Sequence, residues 1–163
     1  MKAMQALDRV NTLCCWVLGI FFIYAGAVKL LAPQTFATLI EAYGLVPEIL
    51  LMPLAAALPA VEVAAGIGLL LNIRGSLGVI AALLLLFIAI LAYGIWMGLD
   101  VDCGCLGPGD PEAEAFHGLR TSLYRDLAML AIIAGVYAWR RFRAIAPVDI
   151  WSMAFKKHYE SGN

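Results

Sequence analysis

The apolar run at residues 77–97 is long enough to cross a lipid bilayer. Residues 77–97 include no charged residue and no proline, and the stretch 81–91 is apolar on every face of a helix. A hydrocarbon core of ~30 Å requires about 20 residues at the rise of an α-helix. The run therefore predicts a transmembrane helix, and we expect the chain to be an integral membrane protein.

The composition predicts the same class of protein. Of the 163 residues, 63% are hydrophobic and only 14% are charged, which is too few charges to cover a water-exposed surface. The net charge is -1, with 11 basic and 12 acidic residues, so the chain has no excess of positive charge to attract a polyanion. Nucleic acid is therefore not expected as a partner, whereas the lipid bilayer is.

Three further apolar stretches predict membrane-spanning helices. The four predicted spans are residues 13–31, 49–71, 77–97 and 123–139. The first span ends before Pro33, because proline cannot continue a helix, and its single charge, Lys29, is expected to extend to the membrane interface. The second span carries Pro53, Pro59 and Glu62, which predicts a kinked helix packed inside the protein. The predicted fold class is an all-α four-helix membrane bundle.

A short amphipathic helix is predicted between the first two spans. Within residues 34–46, four apolar or aromatic side chains recur at helical spacing, namely Phe36, Leu39, Ile40 and Tyr43. The stretch is too short and too mixed to span a bilayer, so we expect it to lie in the membrane interface.

The N-terminal apolar stretch also has features of a signal peptide, because Lys2 and Arg9 precede it. It is longer than a typical signal core, and further membrane segments follow it instead of a soluble domain. We therefore expect the first span to be retained.

The distribution of basic residues predicts the orientation in the membrane. With four spans, the two termini share one side, and that side carries eight of the eleven basic residues: Lys2, Arg9, Arg74, Arg140, Arg141, Arg143, Lys156 and Lys157. The positive-inside rule predicts cytoplasmic termini and an external loop after the third span, which in a bacterium means the periplasm. Residues 1–143 are the predicted membrane domain, and residues 144–163 are a polar cytoplasmic tail.

The external loop contains the most informative motif, Cys103-Gly104-Cys105. Glycines and prolines surround the two cysteines and predict a turn-rich segment. A disulfide between cysteines separated by one residue closes a small, strained ring, and strain makes a disulfide easier to reduce and to exchange. The motif therefore predicts a catalytic dithiol, which needs a partner that delivers or removes electrons.

Two other interpretations of the loop remain open. Cys103, Cys105 and His117 are suitable ligands for a soft metal such as Cu(I) or Zn²⁺, although their spacing is not a standard zinc pattern. A purely structural disulfide is the second alternative, but a bond between near neighbours constrains the unfolded chain very little and adds little stability.

Several residues inside the spans are candidates for supporting roles. Glu62 is an ionisable group near the middle of a span, where such groups usually face the protein interior. Arg125 and Asp126 lie at the entry of the fourth span, and an arginine near the cysteine loop would favour the thiolate form. Cys14 and Cys15 lie a bilayer thickness from the loop and are expected to behave as small buried hydrophobes.

Several segments together resemble the DoxX-like superfamily and, more closely, its MauE (methylamine utilisation) branch. These segments are Phe-Ile-Tyr-Ala-Gly-Ala-Val-Lys-Leu-Leu-Ala-Pro at 22–33, Tyr-Gly-Leu-Val-Pro at 43–47, Pro-Ala-Val-Glu at 59–62, Asp-Cys-Gly-Cys-Leu-Gly at 102–107 and Arg-Asp at 125–126. The resemblance implies a small four-helix membrane protein linked to periplasmic thiol–disulfide chemistry. It also implies a thioredoxin-like partner that matures disulfide-rich proteins.

The function predicted from the sequence is thiol–disulfide exchange between Cys103/Cys105 and a thioredoxin-fold partner, with the chain acting as an oxidoreductase. A membrane carrier such as a quinone is expected beside Arg125, Tyr43 and Phe36. One alternative is a mercury or copper relay, which would require Glu62 and the Cys14/Cys15 pair on one interior path. The other is a non-catalytic subunit that anchors a larger membrane complex.

Overall fold

The computed structural model describes residues 2–99 and 119–143, and regular secondary structure within these ranges is helical. The helices are α1 (Lys2–Leu31), α2 (Pro33–Ala42), α3 (Glu48–Leu70), α4 (Ser76–Met97) and α5 (Leu119–Arg143). The predicted dithiol Cys103/Cys105, His117 and the predicted tail lie outside the described residues.

Three of the four predicted spans are confirmed as helices that are long and apolar enough to cross a membrane. They are Leu7–Leu31 of α1, all of α3 and all of α4. The fourth predicted span, 123–139, lies within the 25-residue helix α5. Arg125 and Asp126 lower its mean hydropathy, so composition does not identify α5 as a crossing helix. That α5 crosses the membrane stays a prediction.

Helix α2 is the short helix predicted after the first span. Pro33 is its first residue, where the missing N–H costs no hydrogen bond and the fixed φ suits a helix. Its 10 residues are too few to cross a bilayer. Phe36 and Ala37 of α2 pack against Leu51 and Ala55 of α3, so α2 lies along the first half of α3.

Helices α1 and α3 are antiparallel and pack closely through glycines. A Cβ atom on Gly19 would lie 3.0 Å from the carbonyl oxygen of Gly66, and one on Gly26 would lie 2.7 Å from that of Pro59. Any larger residue at these positions would force the backbones apart. Small residues at an interface allow membrane helices to approach in this way, and the close approach fixes the register of α1 on α3.

A tight turn connects α3 to α4, and the packing of the remaining helices follows from it. Asn72 has φ 54° and Gly75 has φ 94°, so both adopt the left-handed conformation that reverses the chain in few residues. Helix α4 packs on α3 and α5, and α5 also contacts α1.

We call the extremity of the helices at which the α3–α4 turn lies the turn end. The opposite extremity, where α1 and α4 finish and α3 and α5 begin, is the loop end.

Apolar side chains occur both inside the helix assembly and on its surface. The largest core cluster contains Leu18 and Phe22 of α1 together with Leu84 of α4 and Ile133 of α5. The outward face of α1 is also apolar, with a stripe of side chains that are more than half exposed: Leu13, Val17, Ile20 and Tyr24. An exposed apolar stripe at helical spacing is what a lipid-facing helix requires.

Candidate functional site

The segment that carries Cys103 and Cys105 begins and ends at one cluster of buried side chains. Helix α4 stops at Gly98, which has φ 68°, and α5 begins at Leu119. Leu119 and Leu91 pack with Tyr43 in a buried cluster at the loop end. The residues that carry the dithiol therefore connect two helix ends that are held side by side.

Gly94 makes this packing possible. A Cβ atom at this position would lie 2.7 Å from Cε1 of Tyr43 and 3.1 Å from Cδ1 of Leu119. Because Gly94 has no side chain, the Tyr43 ring can lie against α4, and Leu119 packs against the same position. Tyr43 thus contacts the base of the cysteine segment from the end of α2.

Lys29 and Glu62 form a buried ion pair between α1 and α3. The Lys29 Nζ donates to both carboxylate oxygens of Glu62, at 2.8 Å and 3.1 Å. Lys29 is 4% exposed and Glu62 is 1% exposed. The interior position predicted for Glu62 is confirmed, and its partner is a charged group on the neighbouring helix.

The prediction that Lys29 extends to the membrane interface is wrong. A Cα–Cβ bond in a helix tilts toward the N-terminus of that helix, and the N-terminus of α1 is at the opposite extremity from Lys29. The side chain therefore points inward from the loop end, and it meets Glu62 because the glycine packing fixes the register of α1 and α3.

Two aromatic rings complete the surroundings of Lys29. Its Nζ lies 5.3 Å from the ring centre of Phe36 on α2 and 4.8 Å from that of Phe87 on α4. Both distances are within the range of cation–π attraction. Four helices thus contribute to the environment of one ammonium group.

Arg125 and Asp126 lie near this ion pair on α5. Asp126 is 3% exposed, and its Oδ1 lies 3.6 Å from Nε of Arg125. The Arg125 guanidinium lies 5.7 Å from the ring centre of Phe21 on α1. Both residues line a small cavity that Lys29 and Glu62 also line. Its volume of about 20 Å³ has room for about one water molecule.

We call this space the charged cavity, and it brings together all three residues predicted for supporting roles. Glu62, Arg125 and Asp126 come from two different helices, and Lys29 joins them from a third. The four formal charges sum to zero, which lowers the cost of holding them away from water. The sequence analysis missed Lys29, although a buried glutamate inside a span calls for a cation on a neighbouring helix.

A second, larger cavity adjoins the charged cavity. We call it the loop-end cavity, and its volume is about 230 Å³. Among the described residues that line it, Lys29 alone is charged, and Tyr43 supplies a phenol. The other lining residues are Phe36, Leu39, Ile40, Leu45, Val46, Leu54, Leu58, Leu86, Phe87, Ile90 and Leu91. Of the residues predicted beside a membrane carrier, Phe36 and Tyr43 line this cavity, whereas Arg125 lines only the charged one.

Cys14 and Cys15 lie toward the turn end, and no disulfide joins them. Cys15 is buried, and its Sγ accepts a hydrogen bond from Nη2 of Arg140 at 3.2 Å. The buried apolar side chains of Leu18 and Phe22 lie on α1 between Cys15 and Lys29. Among the described residues, apolar side chains thus lie along α1 between this pair and the Lys29–Glu62 pair, and the metal relay stays an untested alternative.

Within residues 2–99 and 119–143, no three His, Cys, Asp or Glu side chains are grouped so that they could hold a metal ion. The alternative metal ligands Cys103, Cys105 and His117 lie outside these ranges. The described part of the site therefore offers charged and aromatic groups and apolar space.

Comparison with known proteins gives two matches. The family described as methylamine utilisation protein MauE matches residues 7–140. A curated protein from Paracoccus denitrificans, named methylamine utilization protein MauE, is 29% identical over 136 residues, which is 79% of this chain and 73% of the relative. No solved structure matches the chain.

Proposed function

The chain belongs to the MauE family, and we propose that it is a membrane thiol–disulfide redox protein whose Cys103 and Cys105 exchange electrons with a thioredoxin-fold partner. A thiolate of one protein attacks a sulfur of the other protein's disulfide and forms a mixed disulfide. The second thiolate of the attacking protein then attacks the mixed disulfide and releases the other protein with both of its thiols reduced. Two thiols are lost on one protein and two are gained on the other, so the exchange balances.

The observation that carries this proposal is the position of the cysteine segment relative to the buried charges. The segment joins the ends of α4 and α5 at the cluster of Tyr43, Leu91 and Leu119. Tyr43 and Leu91 of this cluster also line the loop-end cavity, and Lys29 lines both that cavity and the charged cavity deeper among the helices. Buried charges inside a membrane protein are expensive and usually mark functional sites. A buried ion pair is thus linked, through Lys29 and the loop-end cavity, to the cluster at which the cysteine segment is attached.

The charged cavity has a positioning role in this proposal. Ion pairing of Lys29 with Glu62 ties α1 to α3, and Arg125 and Asp126 bring the first turns of α5 against the same cavity. The helix end that carries the cysteine segment is thereby held in one place. A fixed attachment limits the directions from which a partner can approach the thiols.

We propose further that α5 is a fourth membrane crossing in a bacterial inner membrane. Both termini are then cytoplasmic, and the cysteine segment is periplasmic, as the basic residues at the turn end favour. Reporter domains fused after residue 110 and after residue 157 test this topology. Periplasmic activity is expected only for the first fusion, and the same activity at both positions would contradict it.

The name of the Paracoccus relative associates that protein with methylamine utilisation. We carry this association over to the present chain. The exchange then supports the maturation of a periplasmic protein with several disulfides, through the thioredoxin-fold partner.

The test is to trap the exchange intermediate in cells. Cys103→Ser and Cys105→Ser are expressed separately, cells are quenched with acid, and mixed disulfides are separated on non-reducing gels. One of the two variants is expected to accumulate a reductant-sensitive adduct with a thioredoxin-fold protein, because the resolving thiol is missing. Cys14→Ser is the matched control and should trap nothing.

A different result in these variants would contradict the proposed function. If neither loop variant traps an adduct and both support growth on methylamine as the wild type does, the dithiol is dispensable. The proposed function is then wrong, and the chain acts as an anchoring subunit.

A further inference from the structure

The loop-end cavity has the features of a binding site for a ring-shaped ligand that is dissolved in the membrane. We propose that it binds the ring of a lipid-soluble quinone, and that this quinone accepts the electrons of the Cys103/Cys105 dithiol. The proposal rests on the proposed function, which leaves the electron acceptor open.

The size and lining of the cavity suit one substituted ring. A cavity of about 150 Å³ lined by apolar side chains is enough to hold benzene, and the loop-end cavity measures about 230 Å³. The additional space accommodates ring substituents. The aromatic side chains of Phe36 and Phe87 provide faces against which a flat ring packs.

The cavity is also accessible from the side of the helices, where lipid would lie. Leu45 is 49% exposed and Leu86 is 43% exposed, and both line the cavity. They come from the α2–α3 connection and from α4, so the opening lies between these elements. An isoprenoid tail can therefore remain among the lipids while the ring occupies the cavity.

Lys29 supplies the polar contact that distinguishes a quinone from a hydrocarbon. A lysine ammonium has three N–H donors, and two of them bond to the carboxylate oxygens of Glu62. Within residues 2–99 and 119–143, no acceptor occupies the third. Because Lys29 lines the loop-end cavity, this donor is available to a ring carbonyl oxygen. Glu62 is a positioning residue, since it holds the ammonium at the cavity wall.

Tyr43 and Leu91 connect the cavity to the cysteine segment. Both residues line the cavity, and both belong to the cluster that includes Leu119 at the start of α5. The cavity and the attachment points of the segment thus share a wall. A ring in the cavity would contact Tyr43 and Leu91, which pack with Leu119, the first residue of α5.

The electron balance of the step requires an acceptor of this kind. When the dithiol closes, the two S–H bonds break, one S–S bond forms, and two electrons and two protons are released. A quinone that takes up both electrons and both protons becomes a quinol, with one O–H bond formed at each former carbonyl oxygen. The strained disulfide that results can then oxidise the thioredoxin-fold partner.

The first experiment measures binding independently of the thiols. The full chain with Cys103→Ser and Cys105→Ser is placed in nanodiscs of phosphatidylethanolamine and phosphatidylglycerol, and it is labelled with an azidoquinone by light. Decylubiquinone is the competitor, and dodecane, which has no ring, is the control competitor. We expect labels on peptides that line the loop-end cavity, with displacement by decylubiquinone alone.

Two adjacent leucines of α4 give a matched pair of variants for this assay. Leu86 lines the cavity, whereas Leu85 does not, although their exposed fractions are similar at 43% and 55%. Leu86→Trp fills the cavity and should weaken decylubiquinone binding by at least about tenfold, while Leu85→Trp should leave it unchanged. Equal binding by the two variants, or displacement by dodecane, would overturn the proposal and indicate an acyl-chain site.

The polar contact is tested by replacing the ion pair as a unit. The double variant Lys29→Met and Glu62→Gln removes both charges and leaves no unpaired buried ion, so the chain is expected to fold. Loss of one charge-assisted hydrogen bond should weaken decylubiquinone binding about tenfold. Unchanged affinity in a folded double variant would contradict the role of Lys29.

The second experiment measures electron transfer in a single turnover. Pre-reduced wild-type chain is mixed with decylubiquinone, and quinol formation is followed by absorbance while free thiols are counted. One quinol should form for each two thiols lost. Binding without this oxidation would overturn the electron-transfer step. A normal turnover with no trapped partner in cells would instead count against the proposed function alone.

Discussion

The two extremities of the helix assembly hold their polar groups in different ways. At the turn end, Arg140 donates to Cys15 and the indole N–H of Trp139 donates to Asp8 at 3.0 Å, and each contact is a single hydrogen bond near a helix end. Lys29, in the last turn of α1 at the loop end, is instead almost completely buried in an ion pair with Glu62 of α3.

The α1–α3 contact and the surroundings of the loop-end cavity also differ in how closely the helices pack. Gly19 and Gly66 bring α1 and α3 into backbone contact toward the turn end. At the loop end, α2, α3 and α4 surround a cavity of about 230 Å³ with Lys29 in its wall. Natural interiors are normally packed without such voids. The cavity is the binding site that we propose, whereas the close contact of α1 with α3 stabilises the fold.

The largest expected effect comes from breaking the buried ion pair on one side. Lys29→Met leaves the Glu62 carboxylate without its cation in a dry interior and should lower the free energy of unfolding by about 3–5 kcal/mol. Unfolding by denaturant in detergent measures this. The double variant with Glu62→Gln should recover most of the loss, and a single variant as stable as the wild type would contradict the pairing.

The next effect comes from the glycine contacts of α1. Gly26→Ala places a methyl group against the Pro59 carbonyl oxygen, which belongs to the backbone and cannot rotate away, so we expect a loss of about 1–3 kcal/mol. Gly78→Ala is the control, because no atom lies within 4 Å of its Cβ position. That variant should be neutral or slightly stabilising. Equal destabilisation of both would disprove the close packing of α1 on α3.

A smaller effect is expected for the corresponding glycine at the loop end. Gly94→Ala meets the side chains of Tyr43 and Leu119, which can shift, so the loss of unfolding free energy should be about 1 kcal/mol. Displacement of Tyr43 should also slow mixed-disulfide formation. Gly135→Ala has open space at its Cβ position and is the control for both measurements. A normal exchange rate in a destabilised Gly94→Ala variant would show that the position of Tyr43 does not affect the reaction of the dithiol.

The smallest effect is expected at the turn end. Trp139→Phe removes the hydrogen bond to Asp8 and should cost about 0.5 kcal/mol, the lower end for a partly exposed bond. Thiol exchange should be unchanged, because the contact lies away from the cysteine segment. A loss of exchange in this variant, measured by the trapping assay, would show that the two extremities are coupled.

Hydropathy alone predicted most of the helices. The spans at 13–31, 49–71 and 77–97 could be predicted because an uninterrupted apolar run of sufficient length has few alternatives to a membrane helix. The helix α2 could be predicted from its amphipathic spacing and Pro33. Arg125 and Asp126 interrupt the apolar run of the fourth predicted span, so its composition does not identify it as a crossing helix.

The Lys29–Glu62 pair could not be predicted from the sequence. The two residues are 33 positions apart, and their contact depends on the register of the two helices that carry them. That register is set by glycine contacts such as Gly26 with Pro59, which are recognised only after the helices are assembled. The loop-end cavity is likewise a product of how α2 lies on α3. Phe36 and Tyr43 were nevertheless predicted beside a membrane carrier, and both line the cavity.

The central claim is that the dithiol attached at the loop end is the reactive site and that the cysteines toward the turn end are not. Differential alkylation with mass spectrometry reports the oxidised fraction of all four cysteines in intact cells before, during and after a reductant pulse. The account predicts that Cys103 and Cys105 are reduced and reoxidised together, while Cys14 and Cys15 stay reduced throughout. A loop pair that never changes its redox state, or a Cys14/Cys15 pair that cycles in its place, would contradict the account.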